Sequence, residues 1–208
     1  MTVPTRREAA SVLRSLSPSA KFMRHACAVG DVAAFLAMRA DQQGHRVDRR
    51  LVETAALLHD VDKLASAGAP AHLRHGEGSA AWLEARGLAE LAPAVRDHPV
   101  TRLAEPAFEG WVHTAPLEAR IVAYADKRAA QHLAPMSKRF ERWRRKYPPG
   151  SDRVVKRSGS AAWSEAVFDL AEHHAAELER EVCQAAGIRP DQVQRLRWSR
   201  RALRETAR

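Results

Sequence analysis

Apolar residues recur along most of this chain at the three- and four-residue spacing of an amphipathic helix, and no segment alternates long enough for a strand. In SPSAKFMRHACAVGDVAAFLAMRA, residues Phe22, Ala26, Val29, Ala33 and Leu36 follow one another at helical offsets; Ser19 suits the N-cap, and Gly44 closes the helix. Asp48 is the expected cap of the next helix, VDRRLVETAALLHDVDKL, whose Leu51, Ala55 and Leu58 share a face. Gly and Pro mark SAGAPAHLRHG as a loop. A helix through EGSAAWLEARG and a short one through AELAPAVRDH follow, residues 99–115 read as irregular, and Pro116 opens a helix through APLEARIVAYADKRAAQHL. An earlier helical stretch lies within residues 1–18, and SAAWSEAVFDLAEHHAAELEREVCQAAG reads as one long amphipathic helix ending at Gly187. The pattern predicts an all-α fold, with a helical core over 1–135 and a basic loop plus amphipathic helices over 136–208 that pack on it.

Composition adds few constraints. Of 208 residues, 45% are hydrophobic and 28% charged, as expected of a soluble packed core. The longest apolar stretches fall far short of the roughly 18 residues a bilayer span needs, and residues 1–20 lack the pattern of a secretory signal. Cys27 and Cys183 form no metal-type pair and read as reduced thiols, so a cytoplasmic protein without a membrane partner is expected. The net charge is +9. Such an excess favours anionic partners, although a solvated basic surface explains it equally well. Nine Lys or Arg against two acids fall between 138 and 157, and Trp143 and Tyr147 lie among them. That mixture suits stacking on bases and holding phosphates, or a helix docking its aromatics on the core with its arginines in water.

The chemistry lies in the histidines and aspartates. AALLHDVDKL is an apolar helix that stops on His59 and Asp60. Adjacent helical residues diverge by about 100°, so both reach one centre only at the helix end or with two cations. His25 points inward with Phe22 and Val29, His75 stands in a loop, His98 ends a short helix, and Asp126 lies on the buried side of its own. A buried carboxylate is costly unless paired or metal-bound, and Lys127, Arg128 or Arg120 can neutralise Asp126. Taken together, the residues supply four imidazoles and two carboxylates, a mixture suited to Fe, Mn, Co, Ni or Zn. Six such ligands with one bridging carboxylate suit two metals. His72, three residues before His75, is an alternative ligand.

The order His25, His59-Asp60, Asp126 resembles the HD-domain metal-dependent phosphohydrolase superfamily over roughly residues 20–135, and LLHDVDK resembles its central helix end. His75 and His98 resemble the extra ligands of its six-ligand, HDIG-type branch, which includes bacterial diadenosine tetraphosphate hydrolases and cyclic-dinucleotide phosphodiesterases. The chain departs from that branch at Asp62, where many members carry a small residue, and at Phe22, where the branch often has an arginine. It also lacks the Gly-Tyr-Pro signature of the cyclic-di-GMP enzymes. The resemblance implies an HD-domain helical bundle with an additional C-terminal helical region. It implies two divalent transition metals, iron or manganese preferred, on His25, His59, Asp60, His75, His98 and Asp126.

The expected activity is hydrolysis of a phosphate ester or anhydride, in a nucleotide or similar small phosphorylated substrate, by a metal-activated water. Asp60 and Lys63 are the catalytic candidates, and Lys63, Arg102 and Lys127 the substrate-binding ones. Lys63 is equally readable as a solvated side chain or a partner of Asp62, which itself suits a proton transfer or a place behind a ligand. Two alternatives stand beside this reading: a nuclease acting on RNA or DNA through the basic C-terminal region, and a non-catalytic nucleotide or metal sensor. Either a monomer or a homodimer is compatible, since the long 160–186 helix can pack on its own domain or on a second chain.

Overall fold

A computed structural model of the chain describes residues 3–70, 72–150 and 163–206. Among these residues the fold is all-α. Helix α1 (Arg6–Ser15) opens on a capping box in which Thr5 and Glu8 satisfy each other's backbone amides. The central helix α2 (Ala20–Gln42) is capped by Ser19, and residues 26–37 are all buried, as befits an element covered on every side. Asp48 caps α3 (Arg49–Leu58), which ends on His59 and passes into a 3-10 turn, Val61–Lys63. Then come α4 (Glu77–Glu84), α5 (Ala92–Arg96), α6 (Phe108–Thr114), α7 (Leu117–Arg128), α8 (Met136–Lys146), α9 (Glu165–Ala185) and α10 (Trp198–Glu205). Helix α2 packs on α3 and α7, α3 also packs on α1 and α7, and α5 bridges α4 and α7.

Residues 99–115 are more ordered than their prolines suggest. Val100–Ala104 form a 3-10 helix and Phe108–Thr114 form α6, because Leu103, Phe108 and Val112 have an apolar surface to rest on. That surface is α9, whose Phe168, Ala171, Ala175, Leu178 and Val182 are at most 1% exposed. Their three- and four-residue spacing is the stripe expected of this helix. It starts at Glu165 with Ser164 as cap, so the stretch 160–162 of the expected helix lies outside the described residues. The long helix thus packs on its own domain.

The C-terminal region is tied to the core by polar contacts as well. Trp198 on α10 donates its indole N–H to the Gly30 carbonyl at 3.0 Å, and the Ser199 amide donates to the buried Asp31 carboxylate at 3.2 Å. A Cβ at position 30 would lie 3.3 Å from the Trp198 ring, so glycine permits this close approach. On α8, Phe140 is buried and meets Trp143 edge to face, while Arg139 stacks on Trp143. Docking therefore accounts for these aromatics. Residues 151–157 of the basic stretch lie outside the described residues.

Leu178→Ala is expected to lower the unfolding free energy by about 2–5 kcal/mol, from the lost transfer energy and the cavity left under α9. A denaturant titration reads this directly. An unchanged midpoint would mean that α9 contributes nothing to the core.

Candidate metal centre

Six side chains from five segments meet at one end of the bundle. His25 comes from the first turns of α2, and His59 and Asp60 from the end of α3. His75 comes from the loop before α4, His98 from the loop after α5, and Asp126 from the last turn of α7. His59, Asp60 and His98 are buried, while the side chains of His25, His75 and Asp126 are 21%, 23% and 15% exposed. The cluster therefore has a buried floor and a rim open to solvent.

Each imidazole is oriented from behind. The Nδ1 of His25 lies 2.7 Å from the Ala130 carbonyl, that of His59 2.7 Å from the Ala56 carbonyl, and that of His98 2.5 Å from the Val95 carbonyl. His75 Nδ1 lies 2.9 Å from Asp62 Oδ1. Carbonyl and carboxylate oxygens only accept, so all four rings donate from Nδ1 and, when neutral, carry a lone pair on Nε2. Those lone pairs face one another, at 3.3 Å between His25 and His59 and 3.1 Å between His75 and His98. Two lone pairs at such a distance repel, and either a proton on one of the rings or a metal cation bound by both relieves them.

Asp60 stands at the centre. Its Oδ1 lies 3.4, 3.3 and 3.2 Å from Nε2 of His59, His75 and His98, and its Oδ2 lies 3.3 Å from Nε2 of His25. Asp126 Oδ1 lies 3.3 Å from His25 Nε2 and 3.6 Å from His59 Nε2. Among the described residues, two sets have ligand atoms within 4.8 Å of one another: His25, His59 and Asp126, and His59, Asp60 and His98. Imidazole nitrogens and carboxylate oxygens converging in this way fit a divalent transition metal.

The electrostatics show where positive charge is favoured. Burial opposes a charge on His25, yet Asp126 and Asp60 outweigh it and hold its pKa up to about 10. Burial, with His75 and His59 adding to it, drives His98 down to about 3 and keeps that ring neutral, the state in which imidazole ligates. Burial alone would raise Asp60, but neighbouring His59 and Lys63 hold it well below the usual carboxylate range.

The geometry locates each of the expected residues. His75 joins the cluster, whereas His72 is exposed. Asp62 stands behind a ligand: besides His75 it accepts the Gly76 amide at 2.9 Å. Lys63 reaches both oxygens of Asp60, at 2.8 and 2.9 Å, with its side chain 45% exposed at the rim. Arg102 was expected at the substrate but is spent on Asp97 and Glu105. Lys127 was expected there too, yet it is fully buried beneath Asp126 and has no face toward solvent. Arg128 turns away to Glu179. The carbonyls of Ala56, Val95 and Ala130 carry no side-chain signal, so the residue pattern did not disclose them.

Gly76 is a spatial necessity of the site. With φ +90°, it lets the His75 loop lie against residues 96–99, and a Cβ there would fall 2.4 Å from the Arg96 carbonyl oxygen. Gly76→Ala is expected to displace His75 from His98. Asp62→Ala, which frees the His75 ring, is expected to weaken metal binding about 10–100-fold. Isothermal titration of each purified variant with manganese or zinc checks both, and wild-type affinity in either variant would show that His75 needs no such support.

No curated protein and no solved structure matches the chain. A family model described as HD domain matches residues 22–131, a span that holds all six converging side chains. Members of that family bind divalent metals and are mostly metal-dependent hydrolases. With more than half of its length matched, the chain belongs to the HD domain family.

Proposed function

We propose that this protein is a phosphohydrolase of the six-ligand, two-metal kind, acting on a phosphate ester or anhydride in a small nucleotide-like substrate. The observation that carries this reading is the convergence of four imidazole Nε2 atoms, two on either side of Asp60. One cation would lie with His25, His59 and Asp126, the other with His75 and His98. Asp60, whose Oδ2 faces His25 and whose Oδ1 faces His98, would be the shared ligand. Divalent cations held there supply an acidified water and a Lewis acid for a phosphoryl oxygen. Iron or manganese suits this mixture of nitrogen and oxygen donors.

The remaining tasks fall to the chain's own residues. Carbonyls of Ala130, Ala56 and Val95 and the Asp62 carboxylate fix the four rings, so little reorganisation is needed at the moment of reaction. Lys63, at the exposed rim beside Asp60, is the cation placed to meet a phosphoryl group, since Arg102 and Lys127 are committed elsewhere. A small substrate is preferred to a long nucleic acid because half of α8's cations are committed within the fold: Arg144 pairs with Glu165, Asp169 and Glu172, Lys138 pairs with Glu141, and Arg139 is buried, while Arg142, Arg145 and Lys146 are exposed.

Elemental mass spectrometry of protein purified without chelators is expected to find about two equivalents of transition metal. His98→Ala is expected to lose about one of them and Asp60→Ala both. With the metal thus identified, phosphate release from a panel of nucleotides and dinucleotides is expected from wild type and is expected to fall on the order of 10³-fold, about 4 kcal/mol of barrier, in Asp60→Ala. Metal-replete wild type that hydrolyses nothing on the panel would remove the enzymatic reading and leave a sensor. Activity confined to long RNA or DNA, with steep salt dependence, would replace it with a nuclease.

A further inference from the structure

Lys127 is a fully buried cation that the reaction as drawn does not use. It follows Asp126 on α7, and its side chain is 1% exposed. A lysine is almost never buried to this extent unless its ammonium is fully partnered. Here the three N–H donors meet three oxygens: Oδ2 of Asp126 at 2.8 Å, the backbone carbonyl of Ala123 at 3.5 Å, and the backbone carbonyl of His98. None is left for a substrate.

Two of those partners belong to opposite halves of the cluster. Asp126 offers its other oxygen, Oδ1, to the space shared with His25 and His59. His98 faces Asp60 and His75. The two lie on separate elements, α7 and the loop after α5, and the Lys127 ammonium links both. By occupying Oδ2 it leaves Asp126 a single oxygen to present, and by holding the His98 carbonyl it sets how far that loop stands from α7. The chain supports this lysine in turn: Arg139 on α8, beyond the span that matches the family, donates to the Lys127 carbonyl at 3.0 Å and to the Asp126 carbonyl at 3.4 Å.

We propose that Lys127 is a positioning residue that ties the two halves of the metal centre together, fixing Asp126 and His98 at the separation at which both cations bind. It touches neither substrate nor metal and acts through those two ligands. The inference rests on the two-metal reading above, and its test is therefore made on metal binding, with activity set aside.

The experiment titrates metal-free protein with cobalt(II), following the visible absorption that reports coordination number, for wild type, Lys127→Met and Leu178→Ala. Methionine nearly matches the lysine in volume without its charge or donors. Wild type is expected to take up two equivalents, and so is Leu178→Ala, although its melting point falls. Lys127→Met is expected to bind at least one equivalent about 10–100-fold more weakly, with an altered spectrum. Should an orphaned Asp126 prevent that variant from folding, the comparison moves to Asp126→Asn with and without Lys127→Met, where no ionised partner is left unpaired. There the remaining equivalent is expected to weaken further through the freed His98 carbonyl. Cobalt affinity and spectrum unchanged by Lys127→Met, with only the melting point lowered, would overturn the proposal and make Lys127 a packing residue. Wild type that binds no cobalt would instead overturn the metal centre itself.

Discussion

An ionised carboxylate, Asp60, sits almost wholly out of water at the end of an apolar helix, and the site is built to compensate it. Removing an unpaired carboxylate from water costs several kcal/mol, so such a group persists only where positive charge or hydrogen-bond donors surround it. The Lys63 ammonium donates to its two oxygens, and the Nε2 atoms of four imidazoles lie around them. A proton on His25 and a divalent cation are both favoured by such a setting. Burial of the carboxylate and the attraction of the cluster for cations are therefore two aspects of one electrostatic arrangement.

That arrangement depends on supports behind it. Each ring is held by its Nδ1, three of them through backbone carbonyls and the fourth through Asp62. Backbone acceptors at helix ends suit this work because the last carbonyls of a helix have no partner within it. The carbonyls of Ala56 and Val95 come from the last turns of α3 and α5, one turn before the histidines they hold. Farther out, α9 covers α7 and the 3-10 helix after His98, with Tyr124 and Arg128 bonded to Glu179, so the C-terminal region steadies two of the segments that bear candidate ligands. Arg6, Arg128 and Arg144 are likewise paired internally, with Glu53, Glu179 and the acids of α9.

Much of this was legible along the chain. Helical periodicity, Ser19 and Asp48 as caps, and the stripe on α9 are local properties, set by side-chain spacing and by backbone amides that need nearby acceptors. The candidate ligands were legible too, as histidines and aspartates at helix ends and inward faces in the order of the HD family. The helical order within residues 99–115 was not, since it depends on burying Leu103 and Phe108 against α9, a helix distant in sequence.

The amino-acid sequence by itself determined an all-α fold and a set of metal-suited side chains in HD-family order. The tertiary structure alone decided the roles that depend on distance. It admitted His75 and left His72 outside, because Gly76 lets one loop approach another. It buried Lys127, a candidate for the substrate, against Asp126 and the His98 carbonyl, and paired Arg102 with two acids. A cation's role is set by the nearest oxygen in space, and spacing along the chain records nothing of contacts between segments dozens of residues apart.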